Sequence, residues 1–320
     1  MNKQALRADI LLLITACIWG FAFVAQRSAM DALGPFTFNG VRFVLGSLSL
    51  FPLVIFRLRN PERRKDGTTG RPLTAGTFAA CSCLAGGCLF IAASLQQIGI
   101  IHTTAGNSGF ITGLYVVFTP VLGIFLGRKT GLPTWIGALF TLAGLFFISL
   151  ASQVLGPASG PASESLRINP GDLITGISAL FWAFHVLLID SLVKRVDPVV
   201  LASGQFIVCG VLSLAAAFFR ETASPQAFMQ CIIPILYGGF GSVGLAYTMQ
   251  AAGQKYAPPA HAAILLSLEG VFAAIGGVII LSEPLGTWTL LGFILIFCGM
   301  LATQLDIVPR GRSFTAKAGA

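Results

Sequence analysis

SLEGVFAAIGGVIILSEPLGTWTLLGFILIFCGM, residues 267–300, holds two apolar runs joined by a short polar turn, with one acid, Glu269, inside the first run. The runs extend over 260–281 and 286–305. Each is close to the roughly 20 residues that carry a helix across a bilayer. A carboxylate inside such a run is costly in hydrocarbon and normally faces a cavity or a partner. The second acid, Glu283, stands at the end of its run just before Pro284, where a loop or structural role is the simpler reading.

Eight further apolar segments precede these two, at 9–29, 36–57, 74–98, 104–126, 132–152, 171–190, 198–219 and 230–252. The third and eighth are glycine-rich, with CSCLAGG and YGGFGSVG. The composition agrees with a chain built for lipid. Of its 320 residues 55% are hydrophobic and only 10% charged, against roughly 25% charged in a soluble domain. The mean hydropathy is +0.83. Such an excess of apolar surface needs a bilayer as solvent, and helices satisfy their own backbone there. The first run follows Lys3 and Arg7 like a signal peptide, but its length and the many later spans read as a first transmembrane helix.

Turn chemistry joins the spans at Gly34-Pro35, Gly131 to Pro133, Asp197-Pro198 and Pro258-Pro259. Two connections are longer: a basic loop over 58–73 and a Gly/Pro/Ser-rich linker over 153–170. The linker divides the chain into a first unit, 1–152, and a second, 171–306, followed by a basic tail, 307–320. With ten spans, sixteen of the 20 Lys and Arg fall on the side of the termini and three on the other, with Arg42 inside a span. The positive-inside rule then puts both termini in the cytoplasm. The net charge of +8 is thus a topology signal, and nucleic acid is not an expected partner.

The two units echo one another. An offset of 163 relates Asp9 to Asp172, Trp19 to Trp182, Pro35 to Pro198 and Phe43 to Phe206. An offset of 154 relates Gln96 to Gln250, Gly99 to Gly253, Phe118 to Phe272 and Gly123 to Gly277, and one of 155 relates Gly137 and Gly144 to Gly292 and Gly299. A five-helix unit crosses the membrane an odd number of times, so its second copy enters from the opposite side. The expected fold is an all-α integral membrane protein: ten transmembrane helices as two inverted five-helix repeats, a recurring plan of secondary transporters.

ILLLITACIWGFAFVAQRSA (10–29), with its Trp-Gly pair, FTFNGVRFVLGSLSL (36–50), with Arg42-Phe43, and above all 267–300 resemble the EamA-type members of the drug/metabolite transporter superfamily, over nearly the whole chain. Two departures stand out. The proline common after the first acid is here Gly270, and the first repeat has Tyr115 and Lys129 where the second has Glu269 and Glu283. The resemblance implies a multi-pass carrier of the cytoplasmic (inner) membrane, with a small-molecule substrate and the lipid bilayer as partners. Export of amino acids or related metabolites by alternating access is the expectation, with protons as a candidate coupling ion.

Glu269, about nine residues into its span and so roughly 12–14 Å deep, is either a proton-coupling group, a contact for a cationic substrate group, or half of an ion pair with Arg42. Arg42 can bind a substrate carboxylate, pair with Glu269 or snorkel outward. Trp182 and His185 are three apart on one helix face, and Trp19 is the repeat mate of Trp182. All three suit a cavity wall or simple packing, and His185 is able to titrate near neutral pH. Asn107, Tyr115, Tyr247, Gln96, Gln250 and His261 either line a path or bond helices together. Asp9 and Asp172 read as helix caps.

No Walker A, HExxH or GxSxG motif occurs, so neither ATP hydrolysis, a cofactor, a metal site nor catalysis is expected. The three histidines, His102, His185 and His261, are scattered through the membrane depth, unlike an enzyme's cluster. The seven cysteines mostly lie in apolar runs and read as small buried hydrophobes. A flippase for lipid-linked substrates is the alternative within the transporter class; a membrane enzyme, or a channel or scaffold, is the alternative outside it. Oligomeric state is not encoded in any motif.

Overall fold

The computed structural model describes residues 3–59, 74–127, 131–149, 169–193, 196–254 and 265–307. Nearly all of the expected linker, most of the basic loop, His261 and most of the tail lie outside these residues. The described residues are helical almost throughout and contain no strand.

Among the described residues ten helical spans follow one another. Seven are long and apolar enough to cross a membrane: Leu6–Ala29, Pro35–Arg59, Ala75–His102, Ala105–Gly123, Pro170–Ile189, Pro198–Arg220 and Ile232–Gln250. Three are shorter apolar helices, Leu132–Ile148, Leu265–Leu281 and Thr287–Ala302. In chain order these are spans one to four, six to eight, and then five, nine and ten. Phe125, Phe218, Phe219, Ile233 and Ile279 are each more than 70% exposed, as side chains that face lipid rather than a core should be. The protein is a multi-pass integral membrane protein.

Span starts follow local chemistry. Pro170 and Pro198 occupy first-turn positions that need no N–H. Asn169 Oδ1 accepts from the Gly171 N–H at 2.8 Å, and Asp197 Oδ1 accepts from those of Val199 and Val200 at 2.9 and 3.2 Å. Asp172, in the first turn of the sixth span, accepts a 2.5 Å bond from the Thr103 hydroxyl across the junction of the third and sixth spans.

The inverted repeat is visible in how close packing is shared. A Cβ at Gly99, on the third span, would stand 2.9 Å from the carbonyl oxygen of Gly171 on the sixth. A Cβ at Gly253, after the eighth, would stand 3.2 Å from that of Ala8 on the first. The offsets 154 and 163 carry Gly99 to Gly253 and Ala8 to Gly171, so these are one contact made twice. The fifth and tenth spans pair in the same reciprocal way: Gly144 and Gly292 each bring the other's carbonyl oxygen within 2.7 Å of a built Cβ. The second and seventh spans pack together, where Ser47 Oγ lies 2.9 Å from Ser203 Oγ and the rings of the mates Phe43 and Phe206 meet, tilted, at 5.9 Å.

Three spans depart from the uninterrupted α-helices that the apolar runs predict. The fourth is cut at Gly113-Leu114, between helices Ala105–Thr112 and Tyr115–Gly123. The ninth is cut at Leu268, and its main helix is Glu269–Leu281. The eighth passes through a ten-residue π-helix, Tyr237–Ala246, in which Gly238, Gly239 and Gly244 pack against the second span. Apolar length counts residues, and these cuts and the wide turn keep the apolar count while changing the hydrogen-bond register.

Candidate functional site

The cuts in the fourth and ninth spans are repeat mates, because Leu114 and Leu268 are 154 apart. At each, bonds of the tighter i→i+3 kind replace the α pattern: Leu114 N–H to Ile111 at 3.1 Å and Leu268 N–H to Leu265 at 3.3 Å. Each cut makes the next residue the first of a new half-helix. That residue is Tyr115 in the first repeat and Glu269 in the second. The backbone stays right-handed helical through both cuts, and in the first repeat the N–H groups of Val116 and Val117 bond back to Gly113 and Leu114 at 3.0 and 2.9 Å. Glu269 is 5% exposed and makes no hydrogen bond or ion pair with another described residue. Tyr115 and Tyr247 both lie within electrostatic reach of it.

Tyr247 links this point to an aromatic wall. Its ring stands edge-on to Trp19 at 5.0 Å and to Phe206 at 5.1 Å, and Phe206 meets Phe43. Trp19 is anchored by its Nε1–H, which donates to the Ser242 carbonyl in the π-helix at 3.1 Å. The wall thus draws on the first, second, seventh and eighth spans. Trp182, from the sixth, packs against the same cluster, and its Nε1 is buried without an acceptor.

Arg42 closes the wall on the second span. Its guanidinium lies 4.9 Å from the Phe43 ring centre and 5.4 Å from that of Phe38, within cation–π range. The residue is 4% exposed, and its Nε has no hydrogen-bond partner. Tyr247 lies within electrostatic reach of Arg42 as well as of Glu269. The expected alternative of an Arg42–Glu269 ion pair is not realised in this conformation. Arg27 does pair, with Asp31, at 2.9 Å near the end of the first span. The separation follows from the helices: Arg42 packs under Gly238 of the eighth span, whereas Glu269 packs beside Gly20 of the first.

His185, in contact with Trp182 at 5.8 Å, bonds through Nε2 to Gln205 Oε1 at 2.8 Å. Asn107 is not brought to this group. It lies in the first turn of the fourth span, where its N–H donates to Thr104 Oγ1 at 3.0 Å and its own Oδ1 is unpartnered. Gln96 joins spans, donating to Thr112 Oγ1 at 3.0 Å, as do Gln97 to the Gln26 carbonyl at 3.2 Å and Asn39 to the Ala93 carbonyl at 3.0 Å. Sequence reasoning missed Phe206 as a wall residue and Gln205 as the partner of His185. The Phe43–Phe206 repeat relation was the available signal for the first.

It also missed Glu221. Its two carboxylate oxygens accept from the N–H groups of Phe36 and Thr37 at 2.9 and 2.8 Å and from the Thr37 hydroxyl at 2.7 Å. The end of the seventh span thereby caps the start of the second. Glu283 does the same between the ninth and fourth spans, accepting from Ala105 N–H at 2.6 Å and Gly106 N–H at 3.3 Å. Ser282, with φ of 54°, turns the chain so that Glu283 reaches that position. A side chain at Gly34 or Gly277 would collide with the respective carboxylate.

The sequence profile of the EamA-like transporter family matches residues 6–150 and 169–304. The chain belongs to the EamA-like transporter family. EamA proteins fall in the drug/metabolite transporter superfamily. An "Uncharacterized transporter" of Archaeoglobus fulgidus is 29% identical over 310 residues, 95% of this chain and 88% of that protein. The "Uncharacterized transporter YoaV" of Bacillus subtilis is 22% identical over 92% of this chain and 95% of its own length. The human "Solute carrier family 35 member F6" shares 27% identity over 109 residues, 34% of this chain and 29% of that protein. A crystal structure with a TM-score of 0.61 and 17% identity spans 95% of this EamA chain and 98% of its own, a likeness of fold. A transporter of this superfamily is therefore the plain reading, with a small-molecule substrate and the bilayer as its surroundings.

Proposed function

We propose that this EamA-family transporter is a secondary carrier. It exports small metabolites such as amino acids by alternating access, with transport coupled to protons through Glu269. The observation that carries the reading is the placement of two opposite charges, Arg42 and Glu269. Both are nearly fully buried and unpaired with each other; Arg42 lies on the aromatic wall built from both repeats, and Glu269 lies at the cut in the ninth span. Structural ion pairs are mutually satisfied, and these two are not. Intramembrane charges of that kind mark substrate and ion pathways.

The reading includes a topology and a division of the chain. Repeat units of 1–152 and 171–306 are joined by the linker 153–170 and followed by the tail 307–320. Both termini lie in the cytoplasm, as the basic residues argue. The protein works in the cytoplasmic membrane without catalysis, metal or cofactor.

Counterflow of labelled amino acids, amines, nucleosides and sugars in proteoliposomes, with and without a pH gradient, tests it. The wild-type protein is expected to show saturable, competable counterflow of one class, accelerated by the gradient. Glu269→Gln is expected to keep counterflow and lose the acceleration. An undiminished gradient response in Glu269→Gln would refute the coupling role. An absence of counterflow from folded protein would move lipid flipping to the front.

A further inference from the structure

Arg42 leaves an electrostatic account open. Arginine stays protonated at any physiological pH. Holding a bare guanidinium away from water costs several kcal/mol unless an anion faces it, and ring contacts such as those to Phe38 and Phe43 return only about 0.5–2 kcal/mol. Among the described residues no carboxylate comes within ion-pair distance of Arg42, and its Nε is buried without an acceptor. The backbone of the eighth span closes over its stem, where a Cβ at Gly238 would lie 3.4 Å from Arg42 Cδ. Snorkelling to the membrane face is therefore not its solution. Two neighbouring polar groups repeat the pattern: Trp182 Nε1 is a buried donor without an acceptor, and Asn39 Oδ1, one turn before Arg42, is a buried acceptor without a donor.

We infer that Arg42 receives the acid group of the transported solute, so that this carrier accepts solutes bearing a single carboxylate, or an equivalent oxyanion, on an apolar body. The inference rests on the carrier reading above and narrows it. A carboxylate supplies the two parallel acceptors that a guanidinium binds best. The remainder of the solute then lies against the half-buried rings of Tyr247 and Trp19, beside the packed pair Phe43 and Phe206. A solute with the same body and no acid leaves Arg42 unpaired and is rejected, because the desolvated charge then has no partner. An inorganic anion has the same chemistry at its binding end and lacks the body.

The test uses the full chain in nanodiscs and reads quenching of Trp fluorescence, since Trp19 and Trp182 flank the site. The probes are two matched sets: leucine, leucinamide, 3-methylbutylamine and 4-methylpentanoate, and phenylalanine, phenylalaninamide, phenethylamine and 3-phenylpropionate. Phosphate and chloride are titrated alone as the inorganic source. In the wild type the acids of at least one set are expected to bind at least about tenfold more tightly than their amide and amine partners. In Arg42→Gln the acids' half-saturation is expected to rise roughly tenfold to a hundredfold, the range for a hydrogen bond to a charged group, with the amide unmoved. Arg42→Lys, which keeps the charge, is expected to keep part of the preference. Equal binding of acid and amide by the wild type overturns the assignment. So does an acid preference that survives in folded Arg42→Gln, or saturation by phosphate or chloride with no response to any organic acid. Silence of every probe overturns it too; counterflow of another solute by the same preparation would then leave the carrier reading standing.

Discussion

At the residue scale, Tyr247 is where the separate parts of the site meet. Its ring packs on Trp19 and Phe206, and its hydroxyl lies in the field of both Arg42 and Glu269. Tyr247→Phe keeps the packing and removes the hydroxyl. It is expected to leave the thermal midpoint within a degree or two of wild type and to weaken solute binding. Tyr247→Ala removes the ring and is expected to cost about 3 kcal/mol or more of stability, as large-to-small changes in packed sites do. Thermal unfolding in detergent separates the two; equal midpoints for Phe and Ala would show that the ring is not packed as described. Much of this neighbourhood was legible from the chain. Trp19, Trp182, His185, Tyr115, Tyr247, Arg42 and Glu269 all stood out as polar or aromatic groups inside apolar runs. What they touch was not, because the direction of a side chain depends on the rotation of its helix, and aromatic residues on every face of a span leave that rotation open. Asn107 stood out for the same reason, and its place in the first turn of the fourth span sets it apart.

At the element scale, two glutamates do for neighbouring helices what a cap residue does for its own. The starts of the second and fourth spans lie at the membrane face opposite the termini, and so do the ends of the seventh and ninth. Glu221 and Glu283 therefore tie second to seventh and fourth to ninth at one face, across the repeat boundary. Replacing either by Ala leaves two backbone N–H groups without their acceptor and is expected to cost about 1 kcal/mol, the usual worth of a helix cap. The two sites share no partner, so the double variant is expected to lose the sum. Thermal midpoints of the two single variants and the double variant would check both statements; a loss well short of the sum would mean that the caps are coupled. Cap residues are usually sought just before the helix they serve. Here the partner comes from 185 positions along the chain for Phe36 and 178 for Ala105, and no local pattern reports it. The half-helix starts at Tyr115 and Glu269 were hidden for a related reason. Leu114 and Leu268 are apolar like their neighbours, and the i→i+3 bonds that cut each helix leave no mark on hydropathy.

At the scale of the whole molecule, the inverted repeat determines which segments face which side of the membrane. Reporter fusions that act only in the cytoplasm are expected to be active after the basic loop at 58–73 and at the C-terminus, and inactive when placed in the linker near residue 160. Activity in all three places would break the five-plus-five arrangement. The sequence by itself determined the solvent, the number of spans, the duplication and its inversion. These follow from apolar length, from the spacing of like residues and from odd-number counting, all of which are properties of the linear chain. Only the tertiary structure decided that Arg42 and Glu269 stand apart around a shared tyrosine, and that both spans carrying the repeat-mate pair Tyr115 and Glu269 are cut just before them. It alone decided that two distant carboxylates close one face. Those outcomes depend on helix rotation and on close backbone approach at residues such as Gly144 and Gly292, which physical packing in three dimensions sets and one-dimensional periodicity does not carry.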